Sequence, residues 1–274
     1  MKPKKSPYIL SQILTEDTKI CRYMNFDVFL QLLNGKLYVP RRIKFLDARE
    51  SGKLPLQYRF GFDFVDSKES LPSKEMSEKQ QEVDQFVKNL NQSKYLLTSC
   101  WTIDNGEDYL MWKCYANDIG VCVRTTLGRL MEAIDYDNAN YIPICSPMIY
   151  DTLGKKKDFL EAVFTKDKYY ISENEVRLYF IPKTIININI LNNDITTIDK
   201  VLLEASQIEQ EQHQTQHYKD FQIFEVEPTF INSIILSPII KSSTVPYFKE
   251  ILQEHFKEVF TNGSMIKQSQ IQIK

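Results

Sequence analysis

The chain has 274 residues, of which 43% are hydrophobic, and this length and composition suffice for one large domain or two small ones. Its 34 basic and 36 acidic side chains give a net charge of -2, which excludes a strong overall attraction to nucleic acid or anionic lipid but not a local basic groove. The sequence contains no apolar run of membrane-spanning length and no signal-peptide core, so we expect a cytoplasmic protein that does not bind membranes.

The first third of the chain alternates short apolar runs with charged segments. The predicted elements are a lead-in at residues 1–19, strands at 20–24 and 37–40, a helix at 26–34 and a charged helix at 73–91. Asn25 is a good N-cap for the first helix and Gly35 a good stop signal. Residues 41–71 show no sustained period, so they predict a long loop, and loops of this length are often functional.

The stretch Tyr95–Thr126 holds both tryptophans and three of the five cysteines. Apolar residues and hydroxyls at 96–103 predict a buried strand, followed by turn chemistry at 104–106. The next apolar residues fall on one face of a helix, and they are Leu110, Met111, Cys114 and Tyr115. A strand resumes at Val121, so the unit reads strand, turn, helix, strand.

The remaining chain mixes helices and strands of unequal length. Helices are predicted at 127–133, 156–164, 201–219 and 245–260, and strands at 141–150, 185–198 and 230–240. Because strands and helices do not alternate regularly, we predict an α+β class. We expect a single domain at residues 20–260 with helical insertions at about 73–91 and 201–219, followed by a loose polar tail at 261–274.

A strand beginning near Glu173 would place Glu173, Glu175 and Arg177 on one face, because strand side chains alternate. The simplest interpretation is that this charged face meets solvent and pairs internally. A carboxylate pair at the end of a strand also recurs at functional sites. Both interpretations stay open at this level.

Several common site types are disfavoured. The cysteines form no Cys-x-x-Cys pair, so a zinc ribbon or a disulfide framework is not expected, and we predict reduced thiols that are mostly buried. His213 and His217 have metal-ligand spacing but lack the Glu of a His-Glu-x-x-His motif, so we expect no metal. The sequence also lacks a P-loop and a Gly-x-Gly-x-x-Gly motif, and its few histidines lie in predicted surface helices, which disfavours a Ser-His-Asp triad.

Several blocks together resemble the bacterial domain-of-unknown-function family twenty-nine seventy-one, from about Ile20 to about Phe260. The hallmark of that family is a strand Ser, then Met-Trp-x-x-Tyr-Ala, then Gly-Val-Cys. The matching residues are Ser99, Met111, Trp112, Tyr115, Ala116, Gly120, Val121 and Cys122. The family's Asp-Pro-Phe-Glu-like segment is not matched at residues 45–50. The family name implies no activity.

A more remote resemblance is to ADP-ribosyltransferases of the Arg-Ser-Glu class. Arg22, Ser99 and the Glu173/Glu175 pair occur in the order of that class. The resemblance implies a split β core, NAD as substrate, no metal, and a macromolecular acceptor. Arg22 would bind the NAD pyrophosphate, because a guanidinium is a bidentate partner for phosphate.

The same resemblance implies roles for the remaining residues. Glu175 would stabilise the oxocarbenium-like state by bonding a ribose hydroxyl, and Glu173 would position or activate the acceptor. Ser99 would hold Glu175 or the ribose. Three aromatic residues are candidates for stacking on the nicotinamide or adenine ring, and they are Tyr23, Trp101 and Tyr109.

Each residue also has a structural interpretation. Arg22 would be a surface cation, Ser99 a satisfied hydroxyl in a buried strand, and Trp112 and Tyr115 core residues. Cys100, Cys114 and Cys122 would be buried thiols.

The sequence-based hypothesis is a cytoplasmic NAD-dependent ADP-ribosyltransferase that modifies a protein or nucleic acid. It would act as a toxin or phage-defence effector with an antitoxin or regulatory partner. The alternatives are a NAD glycohydrolase, a non-catalytic sensor or binding module in a bacterial defence system that uses the Glu-x-Glu-x-Arg face for docking, and, third, a hydrolase or nuclease.

Overall fold

The computed structural model describes residues 8–45, 81, 85, 88–89, 91–116, 119–136, 140–151, 159, 163–185, 195–213, 219–261 and 265–271. Four predictions fall wholly or mostly outside the described residues. They are the loop 41–71, the charged helix 73–91, the helix 156–164 and the strand 185–198.

Twelve strands occur in the described part of the chain. They are β1 Ile9–Leu10, β2 Lys19–Asn25, β3 Lys36–Pro40, β4 Leu97–Ile103, β5 Gly120–Thr126, β6 Tyr141–Pro147, β7 Ile149–Asp151, β8 Thr165–Asp167, β9 Glu175–Pro182, β10 Phe221–Glu225, β11 Ser233–Leu236 and β12 Ile266–Gln268. Eight of them form one mixed sheet in the order β1-β6-β9-β4-β2-β5-β11-β12. The pairs β10–β3 and β7–β8 form two small sheets.

The helices pack around this sheet. They are α1 Phe26–Leu33, α2 Tyr109–Met111, α3 Leu127–Ala133, α4 Ile195–His213 and α5 Val245–His255. A π-helix at Trp112–Ala116 continues α2, and a 3-10 helix at Lys168–Glu173 leads into β9. The predicted α+β class is confirmed, whereas the finer assignment to the ADP-ribosyltransferase fold stays a prediction. Among the described residues, no helix is both long and apolar enough to cross a membrane.

The two faces of the large sheet differ in what covers them. The first face, which carries Leu97, Ser99 and Trp101 of β4, packs against α1, α3 and α5 in the main hydrophobic core. The second face carries Thr98 and Cys100 of β4. It has one apolar cluster under α4 and another under the π-helix. Between these two clusters lie the polar side chains that open β9.

The predicted central unit of strand, helix and strand is confirmed as β4, α2 with its π-helix, and β5. The buried face of the helix was predicted wrongly, because Leu110 and Tyr115 are exposed while Trp112 is buried. A π-helix places residues at a different angular spacing from the 3.6 residues per turn assumed in the prediction. Gly120 closes the unit tightly, since a Cβ there would lie 2.0 Å from the backbone oxygen of Ala116.

Both ends of the described chain contribute to the sheet. β1 lies in the predicted lead-in and pairs in parallel with β6. β12 lies in the predicted loose tail, yet it pairs in parallel with β11 from Ile234 to Leu236. The prediction of a loose segment is therefore wrong for Ile266–Gln268, because its amides and carbonyls complete the edge of the sheet.

Candidate functional site

The Glu173 and Glu175 carboxylates meet at one lysine on the second face. Glu175 opens β9, whereas Glu173 ends the preceding 3-10 helix rather than continuing the strand as predicted. Asn174 between them has a left-handed backbone with φ of 42°. This turn lets both carboxylates reach Lys166, whose Nζ lies 2.5 Å from Glu173 Oε2 and 3.2 Å from Glu175 Oε2.

Glu175 is held in a buried ion pair. Arg177 donates to it through Nε at 2.5 Å and through Nη2 at 3.0 Å. Burial alone would raise the pKa of Glu175, but Arg177 and Lys166 outweigh burial and lower the pKa to about 2. Glu175 is therefore ionised throughout the neutral range.

Glu173 lies in a different environment. Its side chain is 14% exposed, compared with 5% for that of Glu175. Burial raises the pKa of Glu173, the charge of Glu175 adds to this effect, and Lys166 partly offsets it. Tyr115 donates a hydrogen bond to Glu173 Oε1 at 3.0 Å. The two carboxyls thus share a cation but have pKa values shifted in opposite directions.

Aromatic rings and a further cation surround this cluster. The Tyr150 hydroxyl accepts a hydrogen bond from the Glu175 backbone N–H at 2.7 Å, and the Tyr170 ring lies 4.7 Å from Lys166 Nζ. Arg42 is fully buried, with its Cζ 6.0 Å from the ring centre of Tyr179. Among the described residues, the Nε and Nη2 atoms of Arg42 have no hydrogen-bond partner, which is costly for buried donors.

Arg22 and Ser99 meet each other but not the carboxylates. Arg22 Nη1 lies 3.3 Å from Ser99 Oγ, and Trp101 Nε1 donates to the same oxygen at 3.1 Å. In the register of β4 and β9, Ser99 is opposite Leu178, whereas Glu175 is opposite Thr102. Ser99 therefore lies on the first face and Glu175 on the second, and the prediction that Ser99 holds Glu175 is wrong.

The aromatic residues predicted to stack on NAD are also separated. Trp101 is 1% exposed within the main core and offers no open ring face to a ligand. The Tyr23 ring contacts Trp112 edge-on at 4.9 Å, and its hydroxyl accepts from the Asp108 N–H. Tyr109 is 42% exposed, so it alone of the three presents substantial surface to solvent.

No family model, curated protein or solved structure matches this chain. Both family resemblances therefore stay predictions from the residues alone. A function has to be inferred from the geometry of the carboxylate cluster.

One thiol belongs to this site, because Cys100 forms a hydrogen bond with Glu175 that adds to the pKa-lowering effect of Arg177 and Lys166. The five cysteines, all of which lie in the described part of the chain, form no disulfide. Cys100 is partly exposed and Cys114 exposed, so the prediction of burial is wrong for Cys114. In the described part of the chain, no group of three His, Cys, Asp or Glu residues could hold a metal ion. His213 ends α4, but His217 lies outside the described residues, so the proposed pair cannot be placed.

Lys166 and Tyr115 also belong to the cluster, and neither was predicted there. Lys166 comes from β8, which the pairing of β7 with β8 brings beside β9, and no local pattern marks it. Tyr115 was expected in the core, yet it is 44% exposed and reaches Glu173. Together these residues provide a fixed negative charge, a carboxyl that takes up a proton readily, and an ammonium that holds the two in place. This combination suits cleavage of a glycosidic bond.

Proposed function

We propose that this protein is an NAD-dependent ADP-ribosyltransferase that modifies a macromolecule, with Glu173 and Glu175 as its catalytic pair. The observation that carries the proposal is that two carboxyls sharing Lys166 have pKa values shifted in opposite directions. Opposed shifts of this kind are typical of paired carboxylates that divide charge stabilisation and proton transfer between them.

The proposed chemistry assigns one role to each carboxylate. When the bond between nicotinamide and ribose C1′ breaks, nicotinamide leaves with the bonding electrons and the ribose becomes oxocarbenium-like. Glu175, which is ionised, stabilises the positive charge. Glu173 accepts the proton of the acceptor's nucleophilic group as that group bonds to C1′, and a raised pKa brings this base closer to neutral pH.

Arg22 and Ser99 have no role in this proposed chemistry, because they contact each other on the first face, whereas the two carboxylates lie on the second. A role as a toxin or phage-defence effector, with an antitoxin or regulatory partner, rests only on the family resemblance.

A non-catalytic sensor or binding module is the second candidate, and one observation favours it. The two oxygens of Glu175 already accept from Arg177 and Lys166, and the residue is 4% exposed. A carboxylate engaged in this way can serve as an anchor that shapes a docking surface. This function requires no NAD turnover.

Labelled NAD separates these functions. The protein is incubated with NAD labelled in the ADP-ribose part and a bacterial lysate, using the parent, Glu175→Gln and the matched control Glu254→Gln, whose carboxylate is exposed on α5. We expect label in a macromolecular fraction with the parent and with the control, and none with Glu175→Gln. Thermal unfolding of each variant shows whether a loss reflects the site rather than the fold.

The other outcomes point to different functions. Nicotinamide release without label transfer would indicate a NAD glycohydrolase. If the folded parent releases no nicotinamide and transfers no label, the enzymatic function is contradicted and the binding module is favoured.

A further inference from the structure

A second concave site lies near the β12 edge of the large sheet, several strands away from the carboxylate pair. It is a cavity of about 560 Å³ formed by β5, β11, β12, α5 and the turn after β4. This volume is within the range of small-molecule sites in proteins. Its walls include Arg124 from β5, Lys249 from α5 and Lys267 from β12.

The charge of this cavity is positive although the whole chain is slightly acidic. Glu107 is the acidic residue in its wall, and neutral donors already engage its oxygens. These donors are the indole N–H of Trp112 at 3.2 Å, the hydroxyl of Ser269 at 2.5 Å and the backbone N–H of Gln270 at 2.9 Å. Because Glu107 is held in this way, it is not paired with either lysine.

The three cations keep unused donor capacity. Arg124 Nε lies 3.1 Å from Asp104 Oδ2 but is buried without a hydrogen bond to any described residue, so this ion pair is poorly aligned. Within the described part of the chain, Lys249 and Lys267 form no ion pair. One guanidinium and two ammonium groups in the wall of one cavity match the several oxygens of a phosphate group.

We propose that this cavity binds a phosphorylated small molecule. The phosphate would lie among Arg124, Lys249 and Lys267. The cavity is much larger than one phosphate, so it has room for the group that carries the phosphate. The buried side chains of Ile235 and Ile266 in the lining provide apolar surface for that group. This site is independent of the proposed NAD chemistry, since none of its residues belongs to the carboxylate cluster.

The two tryptophans provide a built-in reporter and a built-in control. The Trp112 indole N–H donates to Glu107 in the wall of the cavity. The Trp101 indole N–H donates to Ser99 on the first face, on the other side of the sheet. A ligand in the cavity changes the surroundings of the first indole and leaves those of the second unchanged.

The test is a titration of ¹⁵N-labelled protein with inorganic pyrophosphate and with adenosine diphosphate, followed through the two indole N–H signals at constant ionic strength. We expect a saturable shift of the Trp112 signal with at least one probe and no shift of the Trp101 signal. Lys249→Gln and Lys267→Gln should each weaken the apparent affinity by roughly tenfold. Lys36→Gln, which removes an exposed lysine from β3 in a separate small sheet, should leave the affinity unchanged.

Three results would overturn the proposal. The first is the absence of a saturable shift with both probes. The second is an equal shift of both indole signals, which would indicate a general salt effect. The third is a Trp112 shift that both lysine substitutions leave unchanged, because the anion would then bind elsewhere.

Discussion

Glu173 and Glu175 are chemically identical and lie two residues apart, yet their surroundings shift their pKa values in opposite directions. Arg177 contacts only the second of them through two hydrogen bonds, whereas Tyr115 contacts only the first. The pKa values of the two carboxyls therefore differ because different side chains donate hydrogen bonds to them. Substitutions of single donors should therefore act mainly on the carboxyl that each donor contacts.

Tyr115→Phe removes the hydrogen bond that favours the charged form of Glu173. We expect the pKa of Glu173 to rise above its already raised value, because the ionised carboxylate loses a donor. A ¹³C titration of the labelled Glu173 carboxyl measures this directly. Tyr109→Phe is the control, since Tyr109 is an exposed tyrosine of the same helical segment. An unchanged or lower pKa in Tyr115→Phe would show that the hydroxyl does not act on Glu173.

Glu175→Gln should destabilise the fold by roughly 3–5 kcal/mol at neutral pH, because it leaves Arg177 buried without its anionic partner. The folded pKa of about 2 lies below the ordinary value of 4.5, so the contribution of the charge is complete above pH 4.5 and declines as the pH falls toward 2. Denaturant unfolding of parent and variant across this window should show the difference in unfolding free energy shrinking. A difference that stays constant with pH would contradict the assigned ion pair.

The sequence predicted part of this site. The spacing of Glu175 and Arg177 correctly indicated a shared strand face, because alternation is a local property. Lys166 was missed since its position depends on the pairing of β7 with β8. Ser99 was placed beside Glu175 wrongly, because the order of motifs along the chain does not reveal which face of a sheet each residue occupies.

At the scale of elements, the turn at Asn174 decides where Glu173 points. Its left-handed backbone ends the 3-10 helix and starts β9 at Glu175. Asparagine and glycine adopt this conformation more readily than other residues. The backbone conformation of this turn therefore allows both carboxylates to contact Lys166.

Asn174→Ala should cost about 1 kcal/mol of unfolding free energy, because alanine is strained in the left-handed region. Asn174→Gly is the matched control and should stay close to the parent in denaturant unfolding. Equal losses in both variants would show that the Asn174 side chain, rather than the backbone conformation, matters.

The elements also show where pattern-based prediction fails. The helix of the central unit was identified from its turn and stop signals, but its buried face was wrong because the chain switches to a π-helix at Trp112–Ala116. That switch places Tyr115 at Glu173 and Trp112 in the core. A prediction that assumes 3.6 residues per turn does not reveal this change to a π-helix.

At the scale of the whole molecule, most strands of the large sheet were predicted but their order was not. Short strands such as β1 and β12 carry little sequence signal, since two or three residues show no period. Their place in the sheet is set by long-range pairing. Both lie at its edges, so they protect the longer strands from solvent.

Hydrogen exchange tests the edge strand β12. Its amides should exchange at least roughly tenfold more slowly than in an unstructured peptide, and faster than those of β4 and β2 in the middle of the sheet. Mass spectrometry of peptides covering residues 265–271 measures this rate. Exchange at the unprotected rate would restore the prediction of a loose tail.

We propose that catalysis belongs to the Glu173–Glu175 pair on the second face and not to the Arg22–Ser99 pair on the first. The transfer of labelled ADP-ribose from NAD to the macromolecules of a lysate tests this assignment, because Glu173 is proposed to accept the proton of the acceptor. The rate of transfer is measured for the parent, Glu173→Gln and Ser99→Ala. We expect a loss of roughly a hundredfold or more for Glu173→Gln, because a positioned acid or base contributes on this scale, and a near-parental rate for Ser99→Ala. A near-parental rate of transfer by Glu173→Gln, or no transfer by the parent, would contradict this assignment.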